Sequence, residues 1–272
     1  MLGLIAGGGR LPIEIVERRK AAGLPTFVVR LTGMADPVLA GEPGVDLGIT
    51  KLGRITDALK GAGCDSVCFA GLVTRPDFGS LVPDLRDVPL APAVFAAARN
   101  GDDALLRHLL AHFEKAGLRA VGAHVAAGQL TLEPGPVGRS GIPDAARADV
   151  EKALEIARAI GSLDVGQGAV VARGLVLAVE AQEGTDAMLA RVADLPAELR
   201  GSAAARLGVL AKAAKPIQDL NADMPTVGVR TIEGAAAAGL SGVVAEAGRT
   251  LLIDRDGVAK AADRHGLFVV GV

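Results

Sequence analysis

Tryptophan and tyrosine are absent from this chain, and its aromatic residues are six phenylalanines among 272 residues. Any core must therefore be packed from Ala, Val, Leu and Ile. A surface that holds nucleic acid by stacking bases on aromatic rings has almost nothing to stack on. Charge points the same way. The formal net charge is −2 and no basic block interrupts the chain, so nucleic acid is excluded as a partner. Cysteine is scarce as well. Cys64 and Cys68 stand i,i+4 with no second Cys/His cluster, which argues against a zinc site, and Cys68 lies in an apolar run as a small hydrophobe. No basic n-region precedes the short apolar N-terminus, so no secretory signal is expected. Apolar runs stop short of the roughly 20 residues a spanning helix needs. Arg173 interrupts the run 169–179, and Glu246 ends the Ala-rich run after 235. The expectation is a cytoplasmic protein.

Glycine, by contrast, is abundant at 36 residues and follows no collagen-like period. A Gly/Ala/Val-rich chain of this length suits α/β architecture in one large domain or two ordinary ones. Residues 2–6 read as a strand, Gly7-Gly8-Gly9 as a turn, 12–22 as a helix and 26–31 as a second strand. That order opens a doubly wound parallel sheet. A short strand is expected at 48–50, a helix at 51–61 and a buried strand at 66–70. Glycine and proline alternate through 128–144, which marks a boundary. The reading is an N-terminal Rossmann-like domain over 1–127, a Gly/Pro linker over 128–143 and a second α/β domain over 144–272. In that second domain 169–173 and 175–181 are β-like runs joined across Gly174. Residues 203–213 are a short helix or a strand. Segments 243–246 and 250–253 look like a hairpin turning at Ala247-Gly248-Arg249.

The stretch richest in chemistry is Lys215–Gly228. Lys215, Gln218, Asp219, Asn221, Asp223 and Thr226 crowd a segment with no apolar period, bounded by Pro216 and Pro225. Carboxylate oxygens suit a hard cation such as Mg²⁺, and a lysine can hold a phosphate oxygen. A polar surface loop with an Asp cap would look the same. Gly7-Gly8-Gly9 could present backbone N–H groups to a phosphate at a helix N-terminus, or could simply turn the chain. It is no dinucleotide fingerprint, because the sixth position is Pro12 and no acidic residue ends the second strand. Gly71-Leu-Val-Thr-Arg-Pro76 ends a buried strand, the edge where open α/β sheets bind ligands. Thr74 and Arg75 could hold a diphosphate or a uracil edge, or be an exposed turn. Glu180-Ala-Gln-Glu-Gly-Thr-Asp186 leads into a helix that Thr185 or Asp186 could cap, with Glu183 or Asp186 offering a metal or substrate contact. His108 and His112 lack the glutamate of a zinc-protease pair, since Leu109 follows His108.

Taken in order, Ile5–Pro12, Gly71–Pro76, Gly101–Leu106, Val179–Asp186, Lys215–Gly228 and Ala245–Leu251 resemble the Mg²⁺-dependent UDP-2,3-diacylglucosamine pyrophosphatases of lipid A biosynthesis. Each motif is weak alone, and the ordered set spans essentially the whole chain. The resemblance implies two domains with the lipid substrate between them. It implies cleavage of UDP-2,3-diacylglucosamine to 2,3-diacylglucosamine 1-phosphate (lipid X) and UMP, with water attacking the phosphorus on the sugar side. It assigns Asp223 and Asp219 as catalytic and metal-holding, with Asp186 and Glu183 as further Mg²⁺ ligands. It assigns Gly8, Gly9, Arg10, Leu11, Leu72, Val73, Thr74, Arg75, Gln167, Thr185, Lys215 and Gln218 to the substrate. Peripheral contact with the inner membrane and a homodimer remain open expectations. The chain departs from the pattern at Asn221, where an arginine is expected; Lys215 or Arg230 would have to supply that charge. The competing readings are a non-catalytic nucleotide-sugar or lipid carrier or sensor and, against the glycine pattern, a Rossmann-type oxidoreductase.

Overall fold

A computed structural model of the protein describes residues 1–73, 91–99, 102–128, 130–215 and 224–272. The described residues separate into two α/β units, one up to Gly128 and the other from Leu130 on.

The N-terminal unit runs β1 (Leu2–Ala6), α1 (Arg10–Ala21), β2 (Thr26–Leu31), a 3-10 turn (Pro37–Gly41), β3 (Gly44–Leu47), α2 (Leu52–Gly61), β4 (Ser66–Ala70), α3 (Ala91–Arg99), α4 (Asp102–Lys115), β5 (Arg119–Ala120) and α5 (Ala123–Ala126). All strands are parallel in the order β3-β2-β1-β4-β5. β1 is buried at every position, the mark of a parallel strand covered on both faces. Ile5, Val29, Ile55, Leu59, Val67 and Phe113 share one cluster. Phe113 also meets Phe69 edge-on at 5.7 Å, so two of the few aromatics are spent here. The third strand falls at Gly44–Leu47 and not at 48–50. Lys51 N–H donates to Gly48 C=O, so 48–51 is already the turn into α2.

The C-terminal unit runs β6 (Gly135–Pro136), a 3-10 turn (Asp144–Ala146), α6 (Arg147–Ser162), β7 (Gly168–Ala172), β8 (Leu175–Val179), α7 (Gly184–Ala193), α8 (Ala197–Arg200), β9 (Val209–Lys212), β10 (Thr226–Val227), α9 (Val229–Ala237), β11 (Gly242–Ala245), β12 (Leu251–Leu252), α10 (Arg255–His265) and β13 (Phe268–Gly271). Six strands form a sheet in the order β6-β13-β11-β9-β7-β8. β9, β11 and β13 are parallel, while β7 is antiparallel to both β8 and β9. Period-2 alternation splits the strands between two helix layers. Val171, Val209, Ala211 and Val244 face Val150, Ala153 and Leu154 of α6. Val170, Leu210, Val243 and Val269 face Met188, Leu189, Ile232 and Val258 of α7, α9 and α10.

Two further expectations change. The segment after 128 is not a free tether from Leu130 on. Leu130 and Leu132 are buried, Leu132 N–H donates to Thr250 C=O, and Gly135–Pro136 pairs with β13 at the sheet edge. An edge strand tolerates proline, so the same composition served pairing instead of flexibility. The 243–253 hairpin does not form either. β11 lies between β9 and β13, β12 pairs with β10, and Gly248 N–H donates to Leu132 C=O. The ambiguous 203–213 segment supplies the strand β9. The β7–β8 turn forms as expected, with Arg173 and Gly174 both at positive φ. Asp149 of α6 caps it, its carboxylate accepting both turn N–H groups at 2.8 and 2.7 Å.

Candidate active site

In the N-terminal unit the chain leaves β1 for β2 on one side, and β4 returns on the other side of β1. The carboxyl ends of β1 and β4 therefore form the topological switch point, where open α/β sheets bind ligands. The structure brings the two glycine motifs together there. Gly8 and Leu72 exchange backbone hydrogen bonds at 2.8 Å in both directions, and Gly7 N–H donates to Ala70 C=O. Gly71 has φ +94°, and a Cβ on it would lie 2.5 Å from Gly8 O. The glycines are thus required by the approach of one turn to the other, whatever binds above them. Gly9 precedes α1, and the Arg10 guanidinium is engaged with Glu17 on the exposed face of that helix. Leu11 is half-buried, while Leu72 and Val73 are exposed. Thr74 and Arg75 lie outside the described residues.

The C-terminal unit builds its carboxyl edge from side chains. Lys212 ends β9, an otherwise wholly apolar and buried strand, and is itself only 4% exposed. In register with it across β7 stands Gly168, and beyond that Glu180, whose N–H donates to Gly168 C=O. Directly paired residues on neighbouring strands share a face. Gly168 leaves a gap in the row: a Cβ there would sit 2.5 Å from Glu180 Oε2. Over that gap Thr185 Oγ1 donates to Glu180 Oε1 at 3.0 Å and accepts from Lys212 Nζ at 2.8 Å. Lys212 Nζ also donates to Thr226 C=O at 3.1 Å. A lysine, a hydroxyl and a carboxylate are thereby linked at the mouth of the sheet.

The residues on either side of 216–223 are held by described groups. On the entry side Ala214 N–H donates to Glu246 Oε2 at 3.0 Å, while Glu246 Oε1 accepts from Arg158 at 2.8 Å. Lys215 pairs with Asp164 at 2.6 Å. On the exit side Met224 and Pro225 are buried, and Leu251 N–H donates to Pro225 C=O. Gln218, Asp219, Asn221 and Asp223 lie outside the described residues. Gln167 precedes β7, and its Oε1 is buried with no hydrogen-bond partner among the described residues.

Glu183 and Asp186 are each held by an arginine. Glu183 pairs with Arg191, and its own backbone N–H together with that guanidinium holds its carboxyl below the ordinary glutamate range. Asp186 pairs with Arg230 at 2.6 Å. Among the described residues no group of three His, Cys, Asp or Glu side chains could hold a metal ion. The described part alone offers Mg²⁺ no such cluster, and the expected ligands Asp219 and Asp223 lie outside it.

Comparison with known proteins matches residues 1–130 to the LpxI N-terminal domain and residues 133–270 to the LpxI C-terminal domain. The chain belongs to the LpxI family. It is 58% identical over 271 residues to the UDP-2,3-diacylglucosamine pyrophosphatase LpxI of Caulobacter vibrioides, covering all of this chain and 97% of that protein. The two LpxI domain matches meet where the structure divides. Sequence reasoning passed over Lys212 and treated Glu180 only as part of a turn motif. The available signal was a single charge closing an apolar strand: Val-Leu-Ala-Lys212, and Leu-Val-Leu-Ala-Val-Glu180. Burying such a charge is expensive unless it is paired, which makes it informative.

Proposed function

We propose that the protein hydrolyses the pyrophosphate bond of UDP-2,3-diacylglucosamine, releasing UMP and 2,3-diacylglucosamine 1-phosphate (lipid X). Membership of the LpxI family over the whole chain supports the reaction, as does the printed activity of the Caulobacter vibrioides relative. The observation that carries the site assignment is Lys212, a buried ammonium held at a sheet edge, on the strand that precedes the stretch bearing Asp219 and Asp223 in the sequence. Cleaving a diphosphate needs little covalent help from the protein. It needs the phosphates positioned and their charge neutralised.

Lys212 is assigned to a phosphate of the substrate, with Lys215 and Gln218 supporting it and Gln167 offering its buried amide oxygen. The N-terminus of α7, at Gly184–Asp186, adds backbone N–H groups and the positive end of a helix dipole. Gly8–Leu11 and Leu72–Arg75 supply nucleotide or diphosphate contacts from the N-terminal switch point. Asp223 orients the attacking water and takes its proton, and Asp219 supports it. Mg²⁺ on these two carboxylates would supply further charge neutralisation and acidify bound water. Asp186 and Glu183 could join such a site only by leaving their arginines. The acyl chains imply contact with a membrane surface. Among the described residues no helix is long and apolar enough to cross one.

The test is turnover in ¹⁸O-labelled water. The proposal expects equal release of UMP and lipid X, with the label in the lipid X phosphate. Label in UMP would move the attack to the other phosphorus. Binding without turnover would mean a carrier or sensor.

A further inference from the structure

Glu180 is a charged group whose role the proposed reaction leaves unassigned. It is 6% exposed, it faces no guanidinium or ammonium within ion-pair distance among the described residues, and its Oε2 has no hydrogen-bond partner there. A buried carboxylate in this state costs stability. Among the described residues its side chain bonds to the Thr185 hydroxyl.

A threonine hydroxyl has one proton. That proton goes to Glu180 Oε1, so the oxygen's lone pairs are turned towards Lys212 Nζ, 2.8 Å away. Removing the carboxylate frees the hydroxyl to rotate, and Lys212 loses a fixed acceptor. The chain carboxylate–hydroxyl–ammonium also polarises along its length, each bond strengthening the next. Gly168 makes room for it, since any side chain there would meet Glu180 Oε2. Lys212 Nζ also donates to the Thr226 carbonyl, which follows the stretch carrying Asp223 in the chain.

We propose that Glu180 is a positioning residue: acting through the Thr185 hydroxyl, it sets the direction of the Lys212 ammonium at the substrate diphosphate. The inference rests on the assignment of Lys212 to a substrate phosphate. It also changes the role of Thr185, whose hydroxyl serves the lysine while its backbone is left to face the substrate.

The experiment is a double-mutant cycle on kcat/KM for UDP-2,3-diacylglucosamine, with thermal unfolding of every variant. Glu180→Ala and Thr185→Val should each lower kcat/KM by about 10-fold, and the double variant should be no worse than Thr185→Val within about twofold, because the two act in series. Glu180→Gln keeps an oxygen that accepts from Thr185 and should stay within about threefold of the wild type. If Glu180→Ala does not fold, Glu180→Met, which fills similar space without an oxygen to accept from Thr185, takes its place in the cycle. Multiplying effects would overturn the inference, as would a Glu180→Gln enzyme as impaired as Thr185→Val, or a Glu180→Ala enzyme that loses stability and keeps its kcat/KM. Lys212→Ala separates the two levels. If it is fully active, the phosphate assignment falls and the inference with it. If it is impaired while Glu180→Ala is not, only the inference falls.

Discussion

The carboxyl edge of the N-terminal sheet is made of backbone, whereas that of the C-terminal sheet is made of buried side chains. In the first, Gly7–Gly9 and Gly71–Leu72 lean on each other through main-chain bonds, and Arg10 is occupied by Glu17 on an exposed helix face. In the second, Glu180 and Lys212 are both more than nine-tenths buried and joined through Thr185. Backbone turns recognise shape and phosphate at little desolvation cost. Buried charges are costly, and a fold that holds them ready at a sheet mouth can use them without reorganisation. The difference is that the described buried charges stand on the C-terminal edge, whereas the N-terminal edge offers main-chain groups.

The largest break in that comparison should come from Asp223→Ala. It should fold normally and lose about 10³-fold or more in kcat, the scale of losing a metal- and water-organising carboxylate. Lys212→Ala should follow at about 10²-fold in kcat/KM, as for loss of one preorganised electrostatic contact. Both are read as UMP released from UDP-2,3-diacylglucosamine.

The N-terminal edge should respond in stability first. Gly71→Ala combines a left-handed backbone with a Cβ 2.5 Å from Gly8 O, so it should cost about 2–4 kcal/mol in a urea titration. Asp149→Ala removes two turn hydrogen bonds in the C-terminal unit, far from the edge, and should cost about 1–3 kcal/mol with kcat unchanged.

Much of this architecture was legible in the residues. The glycine turn after a five-residue apolar strand, the buried Ser66–Ala70 strand and the Gly174 turn all sit where local rules place them. Pairing partners were not legible. Segments 243–246 and 250–253 have the pattern of a hairpin, and only the parallel neighbours β9, β13 and β10 decide otherwise. The Pro/Gly run from 130 likewise reads as a linker until β13 claims it. At the site, the resemblance named Thr185 and Gln167, yet the ammonium that donates to the Thr185 hydroxyl lies 27 residues further on. No local pattern ties Lys212 to Glu180, because register across Gly168 is a tertiary fact.

The smallest effect concerns Cys68. Burial pushes its thiol up to about 12 from about 9, so the folded protein keeps the neutral form where the unfolded chain ionises. The stability this thiol contributes is therefore present below about pH 9 and lost progressively as pH rises towards about 12. At pH 8 a thiol reagent should leave Cys68 unmodified until denaturant is added, and rapid native labelling would contradict its packing.

The central claim is hydrolysis organised on the C-terminal edge. It is tested most directly by incubating the wild type and Asp223→Ala with UDP-2,3-diacylglucosamine and Mg²⁺, with and without EDTA, and measuring UMP. Release by the wild type alone, stopped by the chelator, is the predicted result. Release by Asp223→Ala at a near-normal rate, or none by the folded wild type, would contradict it.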